Sequence, residues 1–270
     1  IVHGMCEYIN RYDHIFSAVA ERGYVCCGYD NLGHGKTARD DVELGFIAHK
    51  NGWKYLVNDV KAFEEAVKKL YPDKPLYLMG HSMGSFISRI AAESYGGSID
   101  KFIICGTGGP NPAAPAGLLI TDIIKLFCGE KHRSELINKL AFGTYNKRFD
   151  GGTDFDWVTS DKDVVSKYAA DKYCNFKFTA SAMHDLVKLN YLANRASWFK
   201  NMPKDLPVLL ISGSDDPVGS YGKGVIKVYE RLCRAGLSDV TLKLYDNCRH
   251  EIHNDSCRAD VIKDIISFIE

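Results

Sequence analysis

The stretch "LYLMGHSMGSF", Leu76 to Phe86, passes from an apolar run into Gly80-His81-Ser82-Met83-Gly84 and then directly into a helical pattern. A plain turn would accept Asn or Asp at Ser82, and a phosphate loop would carry a lysine. One hydroxyl flanked by two glycines, with a strand before it and a helix after it, reads instead as a sharp strand-to-helix elbow. Residues without side chains at Gly80 and Gly84 let strand and helix approach closely, which lifts the Ser82 hydroxyl at the carboxyl edge of the sheet. The amide of Met83, at the helix start, then faces a developing oxyanion.

Outward from the elbow, short apolar runs alternate with amphipathic segments. "YDHIFSAVAERG" is amphipathic with a stop at Gly23, and "YVCCGYD" is a short apolar run ending at Asp30. Lys54 to Leu70 places Leu56, Val57, Val60, Phe63, Val67 and Leu70 at helical spacing. "KFIICG" follows the elbow helix as the next strand. After Gly106 the alternation stops: "GTGGPNPAAPAG" is rich in Gly and Pro, and helical patches separated by polar turns such as "RFDGGTDFDW" run to about Met202. It resumes with "LPVLLISG", a helix over "GVIKVYERLCRAG", the strand "VTLKLY", and a closing helix lined by Val261, Ile262, Ile265, Ile266 and Ile269. The pattern predicts an α/β fold, a mostly parallel sheet with helices on both faces. The core is discontinuous, residues 1–106 and 204–270, with a mainly helical insertion over 107–203. The opening "IVHG" reads as the tail of a strand, so earlier strands are expected to precede it.

A serine alone is a weak nucleophile and needs a base and an orienting acid on other loops of the same edge, in the chain order Ser, acid, His. Both occur at later strand ends. "LPVLLISG" leads into "SDDPVG", with Asp215 and Asp216, and "VTLKLY" leads into "DNCRHEIHND", with His250 and His253. Near the start, "HGMCEY" follows the strand-like stub, and a loop there can aim the Met5 amide at the same oxyanion.

Composition narrows the classes of function. The 270 residues carry 34 basic and 34 acidic side chains with no block of either sign, which removes the electrostatic footprint of a nucleic-acid binder. No apolar run reaches the roughly 20 residues of a membrane-spanning helix. Nine scattered cysteines without a CxxC pair fit reduced thiols and a cytoplasmic location better than a disulfide framework. Neither HExxH nor clustered ligand spacing points to a metal, and neither GxGxxG nor the Walker spacing to a nucleotide, so no cofactor is expected. "DNLGHGKT", Asp30 to Thr37, reads as a strand-end turn.

Taken together, "HGMCEYINRY", "YDNLGHGKT", "GHSMGSF", "ISGSDDPVG" and "RHEIHND", in that order over nearly the whole chain, resemble the α/β-hydrolase superfamily. Within it the chain is similar to the monoacylglycerol lipase, lysophospholipase and serine aminopeptidase-like group. The resemblance implies Ser82 as nucleophile, His250 as base, and Asp216 as acid with Asp215 the second choice. It implies the Met5 and Met83 amides as the oxyanion hole. The glycine that often follows the elbow is Ser85 here. The insertion then corresponds to a cap over the site, and its apolar segment "AGLLITDIIKLFCG" offers Leu119, Ile123 and Phe127 to an acyl chain. The expected activity is hydrolysis of a small-molecule carboxylic ester, monoacylglycerol or lysophospholipid-like, through an acyl-enzyme. The rival readings are a small-ester or aryl esterase, a thioesterase or an amidase on the same triad, and an inactive binding protein of this fold. Oligomeric state is left open.

Overall fold

A computed structural model describes residues 1–149 and 151–270; Asp150, in the polar turn expected over 148–157, lies outside the described residues. Its sheet is built from β1 (Tyr77–His81), β2 (Lys101–Cys105), β3 (Val208–Gly213) and β4 (Val240–Tyr245). All neighbours are parallel and lie in the order β1-β2-β3-β4. Beyond β1 the edge is continued by single bridges: Val2 pairs in parallel with Gly80 on one side and Tyr29 on the other. The apolar run "YVCCGYD" therefore reaches the sheet at one residue and forms no strand.

Side chains alternate across the inner strands, as the pleat requires. Met79, Ile103, Cys105, Leu209 and Ile211 face α1 (Asp13–Ala20) and α10 (Arg258–Ile269), where Ile15, Val261 and Ile265 meet them. Phe102, Ile104, Val208 and Leu210 face the other way, against α9 (Lys223–Arg234), whose Val225, Val228 and Leu232 are fully buried. β3 is buried over its whole length, whereas β4 exposes Thr241 and Lys243, as suits an edge strand.

The helix expected from Lys54 is α2 (Gly52–Leu70), and it packs on the elbow helix α3 (Met83–Tyr95). Leu56, Val57 and Val60 are buried, but the last turn overhangs the core and leaves Leu70 74% exposed. Between Cys105 and Val208 the described residues hold helices and no strand: α4 (Ala114–Cys128), α5 (Glu135–Phe142), α6 (Lys162–Ala170), α7 (Ala180–Ala193) and α8 (Ala196–Asn201). Not all of them stand apart from the core. α7 packs on α2 and α3, and Trp198 and Phe199 of α8 join the sheet face made by Phe102 and Val208.

Asp185 of α7 sits buried against the Gly52 and Trp53 amides at the start of α2. Burial raises its pKa to about 6, although those amides and Lys125 pull the other way. A carboxyl whose folded pKa is raised binds its proton more tightly in the fold, so its contribution to stability declines as pH rises through that range. Asp185→Asn is expected to raise Tm at about pH 7.5, with the gain disappearing near pH 4; thermal melts across that range check this.

Candidate active site

Ser82 lies between the last residue of β1 and the first of α3 with φ 53°, a left-handed conformation that costs a non-glycine residue about 1–2 kcal/mol. The neighbourhood over-determines it. Its amide donates to the Cys105 carbonyl at 3.0 Å, and its carbonyl accepts from the Ser85 amide at 2.9 Å and the Ser85 hydroxyl at 2.6 Å. The side chain is half-buried, and its Oγ has no hydrogen-bond partner among the described residues.

The two elbow glycines answer to different neighbours. A Cβ on Gly80 would stand 2.5 Å from the Gly84 carbonyl oxygen and the Ser88 hydroxyl, so Gly80 serves the strand-helix contact expected of both. A Cβ on Gly84 would instead run into the backbone carbonyls of Val2 and His3. That N-terminal segment is laid along β1 by Val2 N–H donating to Met79 O at 2.8 Å and His81 N–H donating to Val2 O at 3.0 Å. It brings the Gly4-Met5 loop beside the serine, since a Cβ on Gly4 would lie 2.9 Å from Ser82 Cβ. The amides of Met5 and Met83 have no hydrogen-bond acceptor among the described residues.

Asp216 and His250 are brought together; Asp215 and His253 are not. His250 Nδ1 lies 3.0 Å from Asp216 Oδ2, and both residues are buried. The carboxylate is held by the Val218 amide at 2.8 Å and the Ser212 hydroxyl at 3.3 Å. Asp215 is half-buried and contributes its backbone amide to Cys248. His253 stacks on Tyr12 with ring centroids 4.6 Å apart. The His250 loop is gripped from 156–160: the Trp157 ring lies 5.2 Å from the His250 ring, Glu251 N–H donates to Val158 O at 2.7 Å, and Arg249 Nη1 donates to the Asp156 and Thr159 carbonyls.

Leu119, Ile123 and Phe127, offered for an acyl pocket, are 62%, 46% and 79% exposed; Leu126 of α4 and Leu136 and Leu140 of α5 are exposed as well. α4 buries only Ala114 and Thr121, so its all-round apolarity does not make it a core helix. A surface cavity of about 630 Å³, bordered by Lys61, Glu65, Tyr95 and Ser98, takes in none of Ser82, Asp216 and His250. Ligand atoms of His81, Cys105 and His253 lie within 4.8 Å of one another. Both ring nitrogens of His81 are engaged, by Glu7 and by the His250 carbonyl, and burial raises the Cys105 thiol pKa well above its usual range, so the trio is a poor metal site.

Sequence reasoning passed over Glu7, His81 and Trp157. Glu7 and His81 lie inside "HGMCEY" and "GHSMG", where they looked like spacers. Trp157 carries no local signal, because its role exists only through the 156–160 contact.

A family model described as serine aminopeptidase, S33, matches residues 1–257. The chain belongs to this α/β-hydrolase family. Among similar proteins, a monoacylglycerol lipase of Mycolicibacterium smegmatis is 24% identical over 271 residues, covering 100% of this chain and 86% of the relative. An abhydrolase domain-containing protein of Dictyostelium discoideum is 25% identical over 273 residues, but the chain spans only 26% of its length. A thermostable carboxyl esterase from Bacillus coagulans, solved with glycerol, superposes with TM-score 0.93 at 33% identity, over 99% of this chain and 87% of that one.

The family match spans the loops that carry Met5, Ser82, Asp216 and His250, and the Gly84 contact ties the first two together. Gly84→Ala is expected to lower the unfolding free energy by about 1–3 kcal/mol by overpacking. Gly97→Ala, where a Cβ meets nothing within 4 Å, leaves it unchanged; denaturant unfolding of both variants compares them.

Proposed function

We propose that the chain is a serine hydrolase of carboxylic esters, acting on monoacylglycerol or lysophospholipid-like substrates. The observation that carries the reading is the buried His250–Asp216 pair at 3.0 Å on the same sheet edge as the left-handed Ser82. Its kinship with a monoacylglycerol lipase and a carboxyl esterase supports the ester class.

In this reading His250 Nε2 takes the Ser82 proton as Oγ attacks the ester carbonyl carbon. Asp216 holds Nδ1–H and stabilises the imidazolium, and the Met5 and Met83 amides donate to the oxyanion. The tetrahedral intermediate collapses, the C–O bond to the alcohol breaks, and His250 returns the proton to the leaving oxygen. Water, deprotonated by the same His250, then releases the acid. No cofactor enters the scheme. The missing Ser82–His250 hydrogen bond agrees with catalytic contacts that tighten only with substrate bound. The exposed apolar face of α4, with Leu119, Ile123 and Phe127, would receive the acyl chain as it enters.

Among the described residues no helix is long and apolar enough to cross a membrane. All nine cysteines are free, which supports a cytoplasmic setting.

Ser82→Ala and His250→Ala are each expected to lower kcat by several orders of magnitude. Asp216→Asn should be far more damaging than Asp215→Asn; the reverse order would reassign the acid. A chain-length series of p-nitrophenyl esters tests the substrate class: kcat/KM should rise from acetate to octanoate, and a preference for acetate would favour a small-ester esterase.

A further inference from the structure

Behind the elbow lies a buried carboxylate that the proposed reaction does not use. Glu7 is 1% exposed, and its Oε1 accepts from the Tyr12 hydroxyl at 2.9 Å, from His81 Nδ1 at 2.9 Å and from the Gly4 amide. Gly4 precedes Met5, and His81 precedes Ser82. The other ring nitrogen of His81, Nε2, lies 3.3 Å from the backbone carbonyl of His250. One carboxylate and one imidazole thus connect the loops that carry Met5, Ser82 and His250.

With Glu7 ionised, both nitrogens of His81 face oxygens that accept, Glu7 Oε1 at 2.9 Å and the His250 carbonyl at 3.3 Å, an arrangement that suits an imidazolium. We propose that Glu7 and His81 form a buried ion pair of positioning residues that sets the register of the three loops and holds a balanced charge beside the base. The inference rests on the esterase reading above. The titration directions agree. Burial opposes ionisation of both groups, but each is overcome by its partner, so the His81 pKa is raised and the Glu7 pKa lowered.

The groups facing the pair leave that balance intact. His253, edge-on to His81 at 4.8 Å and without a hydrogen-bond partner on either ring nitrogen among the described residues, is kept neutral by burial and by the His81 charge. His3 is pushed toward neutrality by burial, and Tyr12 and Cys105 are held protonated by it. Arg11 lies between Glu7 and Glu251, with its Nε 3.9 Å from Glu7 Oε2 and its Nη2 on Glu251, so this second cation is matched by a second carboxylate and the group as a whole stays balanced. The His81 and His250 ring centroids are 4.8 Å apart, close enough for an unbalanced charge on the pair to reach the base.

The test uses the full chain with Glu7→Gln and His81→Gln, measuring kcat and KM on a p-nitrophenyl ester across pH. Both variants should lose roughly 10- to 100-fold in kcat with KM within about threefold, as expected of misaligned loops. His81→Gln leaves the Glu7 charge unbalanced and should move the acid limb of kcat/KM up by roughly half to one pH unit, while Glu7→Gln should not move it up. Proton NMR provides a readout independent of activity: wild type should show exchange-protected imidazole N–H resonances that vanish in both variants. If either variant cannot be purified folded, the other carries the test by the same two readouts. Wild-type kcat and an unmoved limb, or the same upward shift in both variants, would overturn the pairing; so would absence of the protected resonances in wild type. Loss of all Ser82-dependent turnover in wild type with the resonances present would count against the esterase reading and leave the pair standing.

Discussion

The close passage of the first residues of the chain beneath the first turn of α3 is the contact on which the site depends. Val2 bridges to Gly80, and the Val2 and His3 carbonyls occupy the space where a side chain on Gly84 would stand. Because the strand ends and the helix begins within one residue, Ser82 must turn through a left-handed conformation, and its strain is balanced by the Cys105 and Ser85 hydrogen bonds. The same passage delivers Gly4 and Met5 to the serine. Elbow and N-terminal loop are therefore one packing problem, solved by the absence of a Cβ at Gly84.

Polar groups buried behind the elbow are tied into two networks. On one side Glu7 and His81 neutralise each other. On the other, Ser85 donates to the Ser82 carbonyl and lies 2.8 Å from the Thr107 hydroxyl, which accepts from Arg89 at 3.2 Å. Arg89 is fully buried, stacks on Trp198 at 4.3 Å, and donates to the Ala193 carbonyl and Asn194 at the end of α7. Burial, with Arg231 nearby, pushes its pKa down to about 9, and the acceptors found for its Nη atoms are neutral oxygens. Ser85 is thus the link from the elbow to the helices of the 107–203 region.

Much of the fold was legible because its signals are local. β1 to β4, α9 and α10 follow from short apolar runs and helical periodicity, and the elbow from glycine spacing next to a strand. Asp216 and His250 could be reached because chain order and strand ends restrict where an acid and a base can lie, although "SDDPVG" and "RHEIHND" each offered two candidates and only packing separates them. What failed was long-range. "YVCCGYD" has strand composition but meets one partner residue, and Leu70 keeps the helical phase after the core has ended. Trp157 reaches His250 through a contact between segments almost a hundred positions apart.

In the proposed reaction the N-terminal loop and the elbow together form one oxyanion site around Ser82. The most direct measurement is a crystal structure of the protein after reaction with a fluorophosphonate. Phosphorus is expected bonded to Ser82 Oγ, with a phosphoryl oxygen about 2.7–3.1 Å from the amide nitrogens of both Met5 and Met83. A phosphoryl oxygen turned to solvent, or held by other donors with Met5 remote from it, would contradict it.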